Sequence, residues 1–592
     1  MKYIYKIAVM SICLIITALF TSACGGGGKS TPQNNSALYY LLAQQNNQQQ
    51  ENNNQQEEQN NNENNNNENN NENNNNENNN SENNEENPVV NNEITLTLTD
   101  SKDADKIAKA DIYYKVESTA KTAEEPKDQE ILKAEPTAND KTKFTLPIND
   151  KAENVKIKAV LTYDSEGNLL DYFSSANGVI SENGNFNVDF ENSKDNEAGF
   201  GGGSGTTDDP YIISKPRHFM NINKMVIPNE VLIRVFSNDI PENTSQDNLP
   251  DEVLDKILAY YSSELPNDSP YIYLDKKFKQ TEDLDFTHLT GLKIVKAEKD
   301  KDITIETTNE KAPFYNNGTG ITPIGHYNPN IANLYMGSIM SIEPEDVNAF
   351  LAQFFFKGDY DGDNHIIDGL IFANGKSIEL PLNNIITVHS VMPFFTQILP
   401  NYMTILSLFV GSYNSNFTNI TIGENSIYFI DNSNADNTDN TDNTTNLPYI
   451  EFITIDPNDY GTDNFSKTYF GISGLCFQAQ GSNFNNCTNK AKIVVKNTNY
   501  FGLKIAGIVE NCQSTTFTNC KNNGNITIDN VTITNTNTFT VGSIPSTSYY
   551  GMNIDLLIGN PDNNVTEENC TYDGVITVED QTINGRTYPE AN

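Results

Sequence analysis

Few residues in this chain have types and spacing that could do chemistry. Asp359, Asp361 and Asp363 alternate along the sequence, which is how the first ligands of an EF-hand calcium loop are spaced. Such a loop needs glycine at its sixth position and glutamate at its twelfth, where this chain has Asn364 and Leu370. The pattern therefore predicts a structural turn, with an incidental cation site as the alternative.

Cysteine is the second residue type that could do chemistry. Five cysteines lie beyond residue 24, at Cys476, Cys487, Cys512, Cys520 and Cys570, so at least one cannot pair within a monomer. Stacked strands lie about 4.8 Å apart, a spacing that a disulfide tolerates. A buried ladder of small hydrophobic side chains, disulfides formed after export and a metal site all stay open, and the sequence favours the ladder.

The sequence gives little support for a metal or cofactor site. The histidines are scattered and no Cys-x-x-Cys pair occurs, which disfavours zinc. Acidic residues are too abundant for a hydrolytic carboxylate pair to stand out. We predict no catalytic residue, no metal and no cofactor. The histidines are His218, His288, His326, His365 and His389.

The amino-acid composition of the chain limits which kinds of molecule it is expected to bind. The 592 residues include 38 Lys+Arg against 79 Asp+Glu, a formal net charge of −41. A surface this acidic repels phosphate, so nucleic acid is not an expected partner. Only 36% of residues are hydrophobic and tryptophan is absent, so a core must rest on aliphatic, Tyr and Phe side chains.

The N-terminus predicts export. Lys2 and Lys6 precede an apolar run at residues 7–20, and small residues follow at 21–23. Residues 1–23 have the layout of a signal peptide, and the apolar run is too short to span a bilayer. Cys24 resembles the acylated cysteine of bacterial lipoproteins, although Thr21 stands where the lipobox usually has Leu. The alternative is ordinary cleavage after residue 23, which would leave Cys24 as a free thiol.

Residues 24–92 are predicted to form a disordered stalk. From position 44 onward they are almost entirely Asn, Gln and Glu, a composition that cannot bury enough apolar surface to offset conformational entropy. Alternatively, the segment arose by expansion of a repetitive coding sequence without any selected role.

Gly25, the residue after Cys24, resembles the lipoprotein sorting signal for the outer membrane rather than the one for the inner membrane.

Residues 93–198 are predicted to form a small antiparallel sandwich, similar at low specificity to immunoglobulin or fibronectin domains. Apolar residues alternate with polar ones in short runs separated by turn-forming residues. Residues 199–206 are Gly-rich and predicted to be a linker. The alternating residues are Ile94, Leu96 and Leu98; Ile112 and Tyr114; Phe144 and Leu146; Val155, Ile157, Ala159 and Leu161; and Phe186, Val188 and Phe190.

The C-terminal half contains repeats. Aligning the tripeptides that begin at Ile472, Ile505 and, with a small gap, Leu557 brings the Asn-Cys pairs at residues 486–487, 519–520 and 569–570 into register. Ile493, Ile526 and Ile576 each follow a cysteine by six residues. Fixed core positions separated by variable insertions are typical of a solenoid, whose coils bury their inward residues only by stacking on neighbours.

Four ordered motifs carry a resemblance to a family. Residues 203–213 (GSGTTDDPYII), 277–286 (KFKQTEDLDF), 321–325 (ITPIG) and 356–367 (FKGDYDGDNHII) are similar to those of bacterial surface proteins with GLUG repeats. The resemblance implies a right-handed parallel β-helix over residues 207–580, followed by a tail at 581–592. The chain departs from the family in an insertion at 330–352, with a predicted helix over residues 344–356, and in a loop at 432–446.

Some enzymes share the β-helix fold, so catalysis on a polysaccharide is an alternative hypothesis for the function. Pectin-cleaving lyases of that fold combine calcium-binding acids with a catalytic Arg or Lys, but the arginines here, Arg217, Arg234 and Arg586, lie outside the recognisable repeats. Fold alone does not establish catalysis.

The apolar stretch at residues 391–409 is interrupted by prolines and polar residues, which favours core strands over a membrane span.

The sequence as a whole predicts a mainly β, lipid-anchored protein of the cell envelope, held at the outer membrane or cell surface through Cys24. It would present a non-catalytic β-helix for binding or adhesion to a host, matrix or glycan ligand. A β-helix polysaccharide lyase or glycoside hydrolase is one alternative, and a structural surface component is another.

Overall fold

A computed structural model describes residues 94–117, 130–148, 152–190, 194–236, 251–265, 268–327, 352–373, 377–379, 402–431, 468–500, 502–533, 540–541, 544–545, 552–555, 557–561, 564–579, 581–583 and 586–588. The predicted signal peptide, Cys24, the stalk and the predicted loop at 432–446 lie outside these ranges. Residues 94–588 belong to one compact unit.

Residues 94–190 form two sheets around a shared core. Ile94, Ile112, Phe144 and Phe186 have no exposed surface there. Every strand pair is antiparallel except the pair formed by the first and last strands, which is parallel. The predicted antiparallel sandwich is wrong at that pair, because the last strand enters by a crossover from the other sheet and no hairpin fixes its direction. In spatial order the sheets are Lys143–Leu146, Ile94–Thr99 and Asn185–Asp189; and Glu130–Ala134, Lys109–Val116, Val155–Tyr163 and Leu169–Ile180.

One sandwich strand does not keep the predicted alternation. We predicted that Val155, Ile157, Ala159 and Leu161 share a face. The register shifts between Ile157 and Ala159, and an irregularity of this kind reverses which side chains face inward. Val155 and Ile157 therefore lie in the sandwich core, whereas Ala159 and Leu161 pack outward against Leu289 of the C-terminal region.

The C-terminal region winds through successive coils whose strands stack in parallel, which is a β-helix-like architecture. Each complete coil has five short strands, and every strand pairs with the matching strand of the next coil. Coil by coil, the strands are Tyr211–Ile213; Lys277–Gln280 and Leu284–Asp285; Asp359–Asp361, Ile366–Asp368 and Ile371–Ala373; Tyr402–Leu406, Phe409–Tyr413, Asn416–Thr418, Thr421–Ile422 and Ile427–Asp431; Thr468–Ser473, Cys476–Gln480, Asn483–Asn485, Thr488–Asn489 and Lys492–Tyr500; Gly502–Ala506, Val509–Gln513, Thr516–Thr518, Lys521–Asn522 and Ile526–Ile533; and Met552–Asp555, Ile558–Pro561, Thr566–Glu568, Thr571–Tyr572 and Ile576–Glu579.

Identical positions of successive coils form columns inside the stack. The rings of Phe417 and Phe484 are 4.8 Å apart and nearly parallel, and those of Phe484 and Phe517 are 5.1 Å apart. All three are almost fully buried. Phe278 and Tyr360 extend the column toward the N-terminal end, where each is the register partner of the next. Such columns give the inner coils apolar contacts on both sides.

The predicted repeat alignment is confirmed in two coils and wrong in the third. Ile472 and Ile505 are register partners, but the next residue in that column is Ile554. Leu557 lies three residues further along the chain, where its carbonyl accepts a hydrogen bond from the backbone N–H of Ile508. Ile554 and Leu557 are both apolar, so either could fill the buried position that Ile505 fills in the preceding coil. The sequence alone therefore does not show where the gap in the repeat alignment falls.

Among the described residues, three helices lie outside the coils: α1 (Pro216–Met220), α2 (Asn229–Phe236) and α3 (Asp251–Glu264). Of the helix predicted over residues 344–356, only 352–356 are described, and these form a single 3-10 turn, Ala352–Phe354, in place of an α-helix. The backbone N–H of Phe356 bonds to the carbonyl of Gly411, which places it in the parallel stack. Within the described ranges, no helix is both long and apolar enough to cross a membrane.

Further short elements complete the described chain. Gln581–Ile583, in the predicted C-terminal tail, pairs in parallel with Ile526–Ile533 of the preceding coil and in antiparallel with Arg586–Tyr588. The remaining paired segments are Leu292–Val295 with Thr304–Thr307, Ser377–Glu379 with Tyr402–Leu406, and Thr540–Val541 with Ile544–Pro545. Short 3-10 turns occur at Ala104–Lys106, Ala152–Asn154, Asn221–Asn223, Asp300–Asp302 and Asn316–Gly318.

The Gly-rich segment at residues 199–206 packs tightly against the first coil. Phe200 has no exposed surface and stacks on Tyr211 at 4.4 Å. Gly203 has a φ of +78°, and a Cβ there would overlap the backbone oxygen of Pro210. This glycine is required both for its left-handed backbone and for the close approach of the chain.

The sandwich docks on the coils through polar and aromatic contacts. The hydroxyl of Ser174 donates to the carbonyl of Asp285 at 2.7 Å, and the side-chain amide of Asn309 donates to the Tyr163 hydroxyl at 2.7 Å. The rings of Tyr113 and His288 stack at 4.3 Å. The sandwich and the coils therefore share a packed interface.

Replacement of Gly203 by alanine should destabilise the protein through a steric clash. Gly184 is the matched control, because its φ is +85° but no atom lies within 4 Å of its Cβ position. Gly184→Ala should cost about 1–2 kcal/mol for the left-handed backbone, and Gly203→Ala should cost about 1–3 kcal/mol more. Denaturant unfolding of the two variants checks this, and equal losses would contradict the packing at Pro210.

Acid should weaken the interface through His288. Burial lowers the pKa of His288 to about 4, opposed by Asp285 and reinforced by Lys158. The stabilisation from the neutral ring is complete above the unfolded pKa of about 6.5 and is lost as the pH falls through about 4, a change on the order of 3 kcal/mol.

His288→Phe should remove this dependence while keeping the stack on Tyr113. Urea unfolding at pH 7 and pH 4 should show a smaller loss of stability for the variant than for the wild type. Parallel losses in both proteins would show that His288 does not contribute.

Candidate functional site

Two outer surfaces of the stack are covered by the chain itself. The hairpin that begins at Leu292 packs over Phe429 and Val494 on one side. Tyr327 and Phe355 pack over Val410 and Phe477 on another. Neither surface is free for a ligand in these regions.

A third outer surface lies open among the described residues, and we call it the Asn/Thr face. It consists of the outward side chains of six successive strands. In each of the first five strands one aromatic residue points inward between two outward residues, and in the last strand Glu567 takes the position of that aromatic residue. The outward residues are Lys277 and Lys279; Asp359 and Asp361; Asn416 and Thr418; Asn483 and Asn485; Thr516 and Thr518; and Thr566 and Glu568.

Register makes this face a regular array. Asn416, Asn483 and Thr516 are consecutive partners in one column, and all three are exposed. Neighbouring strands lie about 4.8 Å apart, and alternate residues of one strand about 6.6 Å apart. The stacked Phe rings beneath hold the outward amides and hydroxyls in fixed positions.

Both lysines of the face are paired with carboxylates. Lys277 Nζ lies 2.9 Å from a carboxylate oxygen of Asp359, and Lys279 Nζ lies 3.1 Å from one of Asp363. Asn416 donates to Asp359 at 2.7 Å, and Asn483 donates to Asn416 Oδ1 at 2.9 Å. The middle of the face therefore presents neutral amides and hydroxyls.

Two of the three alternating aspartates, Asp359 and Asp361, lie on this face, and Asp363 lies in the turn that follows. Asp361 accepts hydrogen bonds from the Asn419 side chain and from the backbone N–H of Asp363, both at 3.0 Å. Asp363 and Asn364 have positive φ, as a tight turn requires. These contacts agree with the predicted turn. Across the described ranges, no group of three or more His, Cys, Asp and Glu is placed to hold a metal ion.

A row of left-handed asparagines borders the face, and the sequence showed only part of it. The Asn-Cys pairs identified Asn486, Asn519 and Asn569, and all three have a φ of 54°. Asn419 also belongs to the row, with a φ of 55° and a hydrogen bond from Asn486 at 2.9 Å. We missed it because Ile420 replaces the cysteine that marked the other coils.

Ser214, His218 and Asp195 approach one another in an arrangement that resembles a hydrolytic triad. His218 Nε2 lies 3.0 Å from Asp195 Oδ1, and Nδ1 lies 3.4 Å from Ser214 Oγ. Arg217, however, donates to both oxygens of Asp195, and the backbone N–H of Ser214 also donates to His218 Nδ1 at 3.3 Å. The nitrogen that a general base would use is occupied, so the cluster fastens α1 to the sandwich exit.

The five C-terminal cysteines are all free thiols, and all but Cys570 are buried. Three of them, Cys487, Cys520 and Cys570, fall in the same position of successive coils, as the aligned Asn-Cys pairs predicted. Cys476 and Cys512 lie in other columns, opposite Val509 and Ala479 respectively.

The chain has no match among protein-family models, curated proteins or solved structures. The resemblance to GLUG-repeat surface proteins therefore rests on the sequence motifs alone.

Proposed function

We propose that this protein is a lipid-anchored cell-envelope protein that presents the Asn/Thr face for non-catalytic binding or adhesion. The observation that carries this proposal is the open and regular array of neutral amide and hydroxyl side chains in the middle of that face. Its partner would be a host, matrix or glycan component. Nucleic acid is disfavoured because the chain carries a net charge of −41, and an acidic surface repels phosphate.

The physical argument is preorganisation. Amide and hydroxyl groups on exposed loops lose conformational freedom when they bind, and this loss reduces affinity. On the Asn/Thr face the backbone register fixes them beforehand, and Asn483 is also held by its bond to Asn416. An extended ligand that spans several coils would meet repeated donors and acceptors at constant spacing.

The remaining parts of the proposal come from the sequence. A lipid at Cys24 would anchor the chain in the outer membrane, and residues 24–92 would act as a stalk. The stacked sheets support the coarser fold. We propose that the coils wind as the right-handed parallel β-helix of the GLUG-repeat family, since parallel crossovers are right-handed in nearly all known cases.

A single charge on the face should weaken binding. Asn485 is exposed on the face, whereas Asn523 is exposed on a neighbouring corner of the next coil. On an array of glycans and matrix proteins, Asn485→Glu should reduce the affinity for any ligand of the wild type about tenfold, or about 1.4 kcal/mol. Asn523→Glu should leave it unchanged.

Equal losses for Asn485→Glu and Asn523→Glu would place binding elsewhere on the chain. Depolymerisation of an array glycan by the wild type would instead support the enzymatic alternative. Regular self-assembly without any ligand would favour a structural surface component.

Lipid attachment makes a separate prediction. In bacterial cells fed a radiolabelled fatty acid, the wild type should carry the label and remain with the membrane fraction after a high-salt wash. Cys24→Ser should carry no label and be released, because stable anchoring needs the acyl chains. A labelled Cys24→Ser variant would contradict attachment at this residue.

A further inference from the structure

The column of three cysteines is the only place in the described part of the chain where thiols of neighbouring coils face one another. Lys521 pairs in register with Thr488 on one side and with Thr571 on the other. Each of the three cysteines immediately precedes one of these residues. Backbone hydrogen bonds of 2.8 Å to the carbonyl of Cys487 and 2.9 Å to that of Cys520 hold the coils together here.

The two neighbouring pairs in this column are not equivalent. Cys487 and Cys520 both lie inside the stack, with 1% and 0% of their surfaces exposed. Cys570 lies in the last coil and is partly exposed. An oxidant can therefore reach Cys570 but not the other two.

Geometry favours the same pair. In-register parallel strands keep their Cβ atoms about 4.8 Å apart, whereas a disulfide needs about 3.5–4.5 Å. One strand must therefore move by a few tenths of an ångström. The coil that carries Cys520 is held by coils on both sides, but the strand beginning at Thr571 is the outermost of its sheet in the described chain. Only the last coil is free to make this approach.

We infer that Cys520 and Cys570 form a disulfide when the protein meets a disulfide oxidant, and that this bond fastens the last coil to the stack. The last coil needs such a fastening. Its strand Thr566–Glu568 is exposed at every position, and Tyr572 and Val575 expose 62% and 58% of their surfaces. In place of the buried Phe517 it carries Glu567.

The chemistry balances with a small-molecule disulfide as the oxidant. The Cys570 thiolate attacks one sulfur of the oxidant, forms a mixed disulfide and releases one thiol. The Cys520 sulfur then attacks the Cys570 sulfur and releases the second thiol. The two cysteines together lose two protons and two electrons, and the oxidant is reduced to two thiols.

The reaction should be slow at neutral pH. A hydrogen bond with Cys487 raises the pKa of Cys520 to about 12, and the hydrogen bond with Cys520 likewise raises the pKa of Cys570. Thiolates are the attacking species, so the rate should rise with pH.

The test treats the full-length protein with glutathione disulfide, blocks remaining thiols with N-ethylmaleimide in denaturant and maps the peptides by mass spectrometry. We expect a peptide pair joined between Cys520 and Cys570, with Cys487 blocked. A Cys487–Cys520 link, a persistent glutathione adduct on Cys570, or two blocked thiols at Cys520 and Cys570 would each overturn the inference.

Variants separate the roles of the two sulfurs. Cys487→Ala should still form the bond, and Cys520→Ala should retain glutathione on Cys570. Hydrogen exchange gives a readout that does not depend on these variants: in the wild type, oxidation should slow exchange of the Thr571 amide at least tenfold. Unchanged exchange after the bond has formed would show that it does not fasten the last coil.

Discussion

Each coil of this protein buries its inward side chains only against the coils on either side of it. The constraint that follows is strict register: Phe417, Phe484 and Phe517 must occupy one column for their rings to stack at about 5 Å. Parallel backbone hydrogen bonds enforce the same register from outside. A slip of one residue would turn every ring toward water and every outward amide toward the core.

The Asn/Thr face is a direct consequence of this register. Its outward residues alternate with the buried rings, so the packing that stabilises the stack also fixes the spacing of the surface groups. Lys277 and Asp359 neutralise each other at one end of the face. In a chain of net charge −41, the middle of this face presents neutral amides and hydroxyls at constant spacing.

Much of this could be predicted from sequence, and the failures have physical causes. The alternating runs located five of the seven sandwich strands, missing Glu130–Ala134 and Leu169–Ile180. The Asn-Cys pairs located three coils, because burial and left-handed turns select residue types strongly. The shift after Ile157 and the position of Ile554 were not predictable, since apolar residues stand at both possible positions. The docking of Tyr113 on His288 depends on contacts between distant segments, which local periodicity does not report. Asn419 was missed because its coil lacks the cysteine that marked the others.

The central claim is that the coils stack in register, and a distance measurement tests it most directly. Asn416 and Thr566 are 150 residues apart in sequence but lie three strands apart in one column. Nitroxide labels on cysteines placed at these two exposed positions, in a background free of other reactive thiols, should show dipolar broadening for backbones about 14 Å apart. An absence of broadening, with both single-label proteins folded as the wild type, would contradict the stacked arrangement.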